Sequence, residues 1–234
     1  MPVFFAEHWH RLETSAAELD IASPCDDACL AGDIVRLAQA AEATDGGCRV
    51  VVSAGPPWGR PSVLIQVLVR DYPLEPLEVV AYRDLRSSGQ FKSVSFIASH
   101  RAQQAAARAG ADDALFVDIE GRIHEAATAN VFVARDGVLG TAPLDGSILP
   151  GVVRRKVEEL ARADGIELVE RYALVDELST ADTVLLTSSV RGIAVVGSID
   201  GRPVGCDDKL VGRLRRLVGE AERASAAAFR AQRG

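Results

Sequence analysis

The chain predicts a two-domain α/β (α+β) protein: a small α/β domain over residues 1–86, a linker at 87–91, and a larger domain of sheet and helices over 92–234. Three observations predict it. Two stretches with apolar residues at helical spacing open the chain and then give way to short β-branched runs broken by Gly and Pro. A polar stretch, residues 83–90, interrupts the pattern where a linker belongs. Beyond it, helical and strand patterns alternate and two tight-turn signals appear.

In order, Phe5, Trp9, Leu12, Ala16 and Leu19 recur at three-to-four spacing and predict a first helix, closed by Pro24. A second amphipathic helix is expected from about Leu30 to Ala41, before Asp45-Gly46-Gly47. Residues 50–54, 63–69 and 77–81 read as strands of one sheet covered by those helices. An alanine-rich helix at about 98–109 precedes a strand at 114–118, a turn at Glu120-Gly121 and a strand at 130–134. Asp136-Gly137 and Asp200-Gly201 each sit between β-branched residues, and both predict hairpins because Gly accepts the positive φ of a tight turn. A helix from Pro150 to about Arg162 and a buried strand at 184–186 follow. The last helix presents Leu210, Leu214, Leu217 and Ala221 on one face and arginines opposite.

Of the 234 residues, 48% are hydrophobic, enough for a sizeable core. A net charge of -7 provides no basic stripe to neutralise phosphates, which excludes general nucleic-acid binding and favours a small-molecule partner. No apolar run reaches membrane-spanning length, and the N-terminus lacks a basic region followed by a long apolar one. The four cysteines have no paired CxxC spacing, so a reducing cytoplasm is expected, and Cys25 and Cys29 lack a second ligand pair for a metal.

The chemistry concentrates after the linker. Lys92, one of three lysines, lies among Phe91, Val94 and Phe96, where a partly desolvated amine is expected. Thirty-three positions on (92 to 125), Glu125 stands among Ala126, Ala127 and Ala129, small enough for a flat ring to approach the backbone. Pro150-Gly151-Val152-Val153 starts a helix whose first N–H groups face any anion placed there. Thr187-Ser188-Ser189, after a buried strand, offers hydroxyls and further N–H groups. Taken singly, each has a plainer reading: a solvated lysine, a strand-edge glutamate, a helix cap, a turn.

Together, Lys92, Glu125 with Asn130 and Phe132, Thr141-Ala142-Pro143, Leu149-Pro150-Gly151 and Thr187-Ser188-Ser189 resemble the class IV aminotransferases, the fold-type IV pyridoxal 5'-phosphate (PLP) enzymes. Glu7-His8-Trp9-His10-Arg11-Leu12 resembles the family's His-x-x-Arg-Leu helix. The resemblance implies a barrel-like sheet in the larger domain, a Schiff base on Lys92, and Glu125 keeping the pyridine nitrogen protonated. It also implies that Arg11, Asn130, Val152, Val153, Ser188 and Ser189 bind the cofactor, and that the enzyme is a homodimer using an amino donor and a keto acid acceptor. Transamination of an amino acid or amine is the first expectation. An aminodeoxychorismate lyase making 4-aminobenzoate is the second, and a PLP-binding protein without turnover the third.

The chain also departs from the family. It begins almost at the arginine helix, without the strands that usually precede it, so a wider and wetter substrate pocket is expected unless the loop 56–60 fills it. Ile97 stands where branched-chain enzymes have a tyrosine, and Ala54-Gly55 where Arg-Gly is common.

Overall fold

The computed structural model describes residues 1–43, 45–56, 59–68, 76–86 and 89–232. The chain runs through α1 (Phe5–Glu18), α2 (Asp27–Ala40), β1 (Gly47–Ser53), β2 (Ser62–Leu68), β3 (Leu77–Arg83), α3 (Ile97–Arg108), β4 (Asp113–Val117), β5 (Arg122–Ala126), β6 (Asn130–Arg135) and β7 (Val138–Thr141). It continues with α4 (Val152–Ala163), β8 (Glu167–Glu170), β9 (Ala173–Leu174), a 3-10 helix (Val175–Thr180), β10 (Thr183–Ser188), β11 (Gly192–Ile199), β12 (Arg202–Pro203) and α5 (Asp208–Ala231). It divides into two units, Met1–Tyr72 with Glu220–Gly234, and Pro73–Gly219.

In the first unit, the buried Phe4 precedes α1 and donates its N–H to Ser225 Oγ at 2.7 Å, while Phe5 meets the Phe229 ring edge-on at 5.3 Å. The end of α5 is therefore held on the start of α1. Asp26 caps α2 by accepting the Cys29 N–H at 2.7 Å, and the helix buries Leu30, Ala31 and Ile34 on one stripe. β1 and β2 form an antiparallel pair with Val50 opposite Ile65.

Here the structure corrects the sequence reading. β3 does not join β1 and β2; it pairs in parallel with β4 and β11 in the second unit. The reason is burial: Leu77 and Val79 of β3 are almost wholly enclosed there, whereas β1 is at most half-buried. The division consequently falls before β3 rather than near residue 86, and the chain's last residues go with the first unit. Of the expected linker, Ser87 and Ser88 lie outside the described residues, as do Pro57 and Trp58 of the loop 56–60.

The second unit is built on a ten-stranded mixed sheet in the order β8-β7-β6-β10-β11-β3-β4-β5-β9, with β12 on β11. The sheet curls into a half-barrel. One core joins Val79, Leu115, Ile123, Val131, Val133, Leu186 and Val196 from strands spread along it. The intervening residues of β6, Phe132 and Ala134, face the other way and pack with Val153 and Val157 of α4 and Val211, Leu214 and Val218 of α5, as the two-residue strand period requires. The buried stripe of α5 is thus rotated slightly from the expected Leu210, Leu214, Leu217 and Ala221. Against β4, Ala102 and Ala106 of α3 are small enough to close on Ala114 and Phe116. Both expected hairpins form, with positive φ at Asp136 and Gly137 and at Asp200 and Gly201.

Candidate functional site

Glu125 is the organising group. It lies near the end of β5 and is buried, which removes the strand-edge reading. Its Oε1 accepts Arg86 Nη1 at 2.9 Å, and its Oε2 accepts the Leu149 N–H at 3.1 Å and Asn130 Nδ2 at 3.4 Å. Burial pushes the Glu125 carboxyl above its ordinary range, against the opposing pull of Arg86, the Leu149 N–H and the charge of Lys92. Arg86 was read as part of a polar linker. No local pattern marks it, since its partner lies 39 positions away.

Asn130, at the start of β6, is buried and braces the loop before α4 by donating to the Leu149 carbonyl at 2.9 Å. Gly151 caps α4 directly against it: a side chain there would overlap Asn130 Oδ1. No side chain caps α4 among the described residues, and the first backbone bond into it runs from Arg155 to Gly151. The N–H groups of Val152 and Val153 therefore face outward at the positive end of the helix dipole, while their side chains are buried. Thr187 of β10 pairs with Asn130, which brings the turn after β10 to the same sheet end. In that turn Ser188 Oγ accepts the Arg191 N–H at 3.3 Å, and Ser189 is exposed.

The turn joining β5 to β6 is closed by the Ala126 N–H on Ala129 O at 2.7 Å. Thr128 Oγ1 donates to the buried Asp113 at 2.7 Å. Burial pushes Asp113 up, while Thr128, nearby N–H groups and the charge of Arg191 pull it down.

Lys92 lies in the segment between β3 and α3 and is exposed in the single chain, not in the partly desolvated pocket expected of it; its charge nevertheless acts on Glu125. Arg11, on α1, belongs to the other unit, where its Nη2 lies 3.4 Å from His8 Nδ1.

Two further groups escaped sequence reasoning. Arg154 and Glu158 on α4 form a buried pair at 3.1 Å, with Arg154 Nη2 also donating to Ala142 O at 2.8 Å. Burial lowers the Arg154 pKa and raises that of Glu158. On β5, His124 is buried beside Glu125 in sequence, with Nε2 3.1 Å from Asp118 Oδ2 and its ring 4.7 Å from that of Tyr172. Burial alone would raise the Asp118 carboxyl, but hydrogen bonds from Arg122 and His124 outweigh it and hold that carboxyl far below its ordinary range.

A buried carboxylate fixed in direction, an amine whose charge reaches it and an uncapped helix start suit a flat cationic ring bearing an anionic tail. A model of the family described as Amino-transferase class IV matches residues 1–199. A D-alanine aminotransferase of Bacillus licheniformis is 30% identical over 213 residues, covering 85% of this chain and 75% of that protein. A Methanocaldococcus jannaschii protein described as a branched-chain-amino-acid aminotransferase is 36% identical over 129 residues, 55% of this chain but only 44% of its own length. Among solved structures, a Legionella pneumophila protein described as a 4-amino-4-deoxychorismate lyase superposes with a TM-score of 0.88 at 26% identity, covering 94% of this chain and 87% of that one.

Proposed function

From the premise that this chain belongs to the class IV aminotransferases, whose cofactor is PLP, we propose that it is a transaminase of an amino acid or amine, with a keto acid as acceptor. The observation that carries the reading is Glu125, a carboxylate buried in the half-barrel unit yet aimed by three donors. When bound, PLP supplies an electron sink, which requires a protonated ring nitrogen, and a carboxylate of this kind favours that proton. Lys92 is the amine that would hold the cofactor covalently and move the proton at the reacting carbon. The N–H groups of Val152 and Val153 and the hydroxyls of Ser188 and Ser189 would receive the phosphate, with Arg11 as its cation. Asn130 would act on the cofactor indirectly, by fixing Glu125 and Leu149. A homodimer in the cytoplasm fits this reading, and the four cysteines are free thiols in the structure.

The test is borohydride reduction of the PLP-loaded protein followed by peptide mapping. The label is expected on Lys92; a label on Lys156 or Lys209 overturns the assignment. Ile97 in place of the tyrosine, and the likeness to the protein described as a lyase, favour a second reading: an aminodeoxychorismate lyase with the same cofactor and lysine. A keto-acid-dependent change of the bound cofactor to its amine form separates the transaminase from the lyase.

A further inference from the structure

The loop between β7 and α4 has no regular structure, yet it carries Leu149, whose N–H reaches Glu125 and whose carbonyl receives Asn130. Something must hold it still. Tyr172, between β8 and β9, donates its hydroxyl to Asp145 Oδ2 at 2.5 Å and lies 2.9 Å from Ser147 Oγ. Asp145 Oδ1 in turn accepts the Ser147 N–H at 3.1 Å, so one phenol ties two points of the loop. The ring itself is fixed by His124 at 4.7 Å and by the Arg122 guanidinium at 5.3 Å, and both of those residues are anchored on Asp118, at 3.1 and 2.7 Å.

The same loop touches the other half of the site. Gly89, three residues before Lys92, is buried against the Ser147 carbonyl so closely that any side chain would overlap that backbone. Ser147 therefore lies between Tyr172 on one side and the segment leading to Lys92 on the other, with Leu149 two residues along.

Resting on the PLP reading above, we propose that Tyr172 is a positioning residue for the reaction: through Asp145 and Ser147 it holds the Leu149 N–H on Glu125 and the Gly89–Lys92 segment against the loop. The proton stays on the phenol, since burial raises Tyr172 while its donation lowers Asp145. The direction of the bond is thereby fixed.

Tyr172→Phe tests this, because it removes the hydroxyl and keeps the ring against His124. In the cofactor-free protein, amide exchange at Leu149 should rise about tenfold or more while exchange in β10 and β11 stays at the wild-type rate. In the PLP-loaded protein, the pH midpoint of the cofactor's absorbance change should move and kcat should fall more than KM changes. Unchanged exchange at Leu149 overturns the brace, whatever the cofactor does. Faster exchange with an unmoved absorbance midpoint overturns the role in the reaction. A wild-type protein that takes up no PLP defeats the functional reading and the role built on it, while the exchange result still decides the brace. Ser147→Ala, which leaves Tyr172 and its ring contacts in place, should produce the same pattern in weaker form and serves if Tyr172→Phe does not fold.

Discussion

Glu125 shows how a single ionisable group can be both a cost and a tool. An isolated carboxylate would protonate rather than stay buried and charged, so the three donors around it set how much charge it keeps. Because its folded-state pKa is raised above the ordinary 4.5, the folded protein retains a proton that the unfolded chain has released. Stability contributed by this group is therefore full below 4.5 and falls as pH rises through the folded value. Arg86→Met removes the strongest opposing charge and should lift that value further. Urea midpoints of the cofactor-free protein between about pH 4 and pH 8 should then show a loss that grows with pH, and a pH-independent loss would refute the account. Glu125→Gln should abolish this dependence, and in the PLP-loaded enzyme should lower turnover by a factor on the order of 10². Glu125 and Asn130 could be singled out in the sequence by residue type and spacing, and the fold brings them within 3.4 Å of each other, whereas Lys92, singled out in the same way, is exposed in the single chain. Arg86 and Tyr172 could not be singled out, because each acts through a partner that only the fold brings near.

Elements were most legible where local chemistry decides them. At Asp136-Gly137 the turn demands positive φ at both positions, and Gly137 sits at +80° with open space around its Cα. Gly137→Ala should thus cost about 1 kcal/mol through backbone strain alone, with no steric clash, as thermal or urea unfolding can show. Within α4 the opposite holds: a helical pattern reveals the helix but not that Arg154 and Glu158 face inward. Arg154 Nε and Glu158 Oε1 have no partner among the described residues, so the pair is held by one ion contact and the bond to Ala142 O. Arg154→Met should leave Glu158 uncompensated and cost about 3–5 kcal/mol at neutral pH. Adding Glu158→Leu should recover most of that loss, and a double variant as unstable as the single one would show that the charge was not the problem. The assignment of β3 failed for a related reason. An apolar strand pattern names no partner, and burial against β4 and β11 decided which sheet it joined.

At the scale of the whole molecule, the sequence predicts two parts, and the chain divides into two units with its final residues grouped with the first, a connection invisible to any local window. What the single chain leaves uncovered is also informative. Val94 and Ile97, flanking the approach to α3, are 65% and 75% exposed, and Ile119 in the β4–β5 turn is 92% exposed. Isolated exposed apolar residues are ordinary in a monomer, but two large ones, two and five positions after the proposed Schiff-base Lys92, are what a closed two-fold assembly would bury. We therefore expect sedimentation equilibrium to give about twice the 24.9 kDa chain mass at micromolar concentration. The double variant Val94→Asp with Ile97→Asp should shift the equilibrium toward the monomer, since two carboxylates would be desolvated on association without partners. PLP retention should fall in parallel if the second copy completes the site. A wild type that sediments as a monomer would overturn the dimer, and a variant that stays dimeric would move the interface away from Val94 and Ile97.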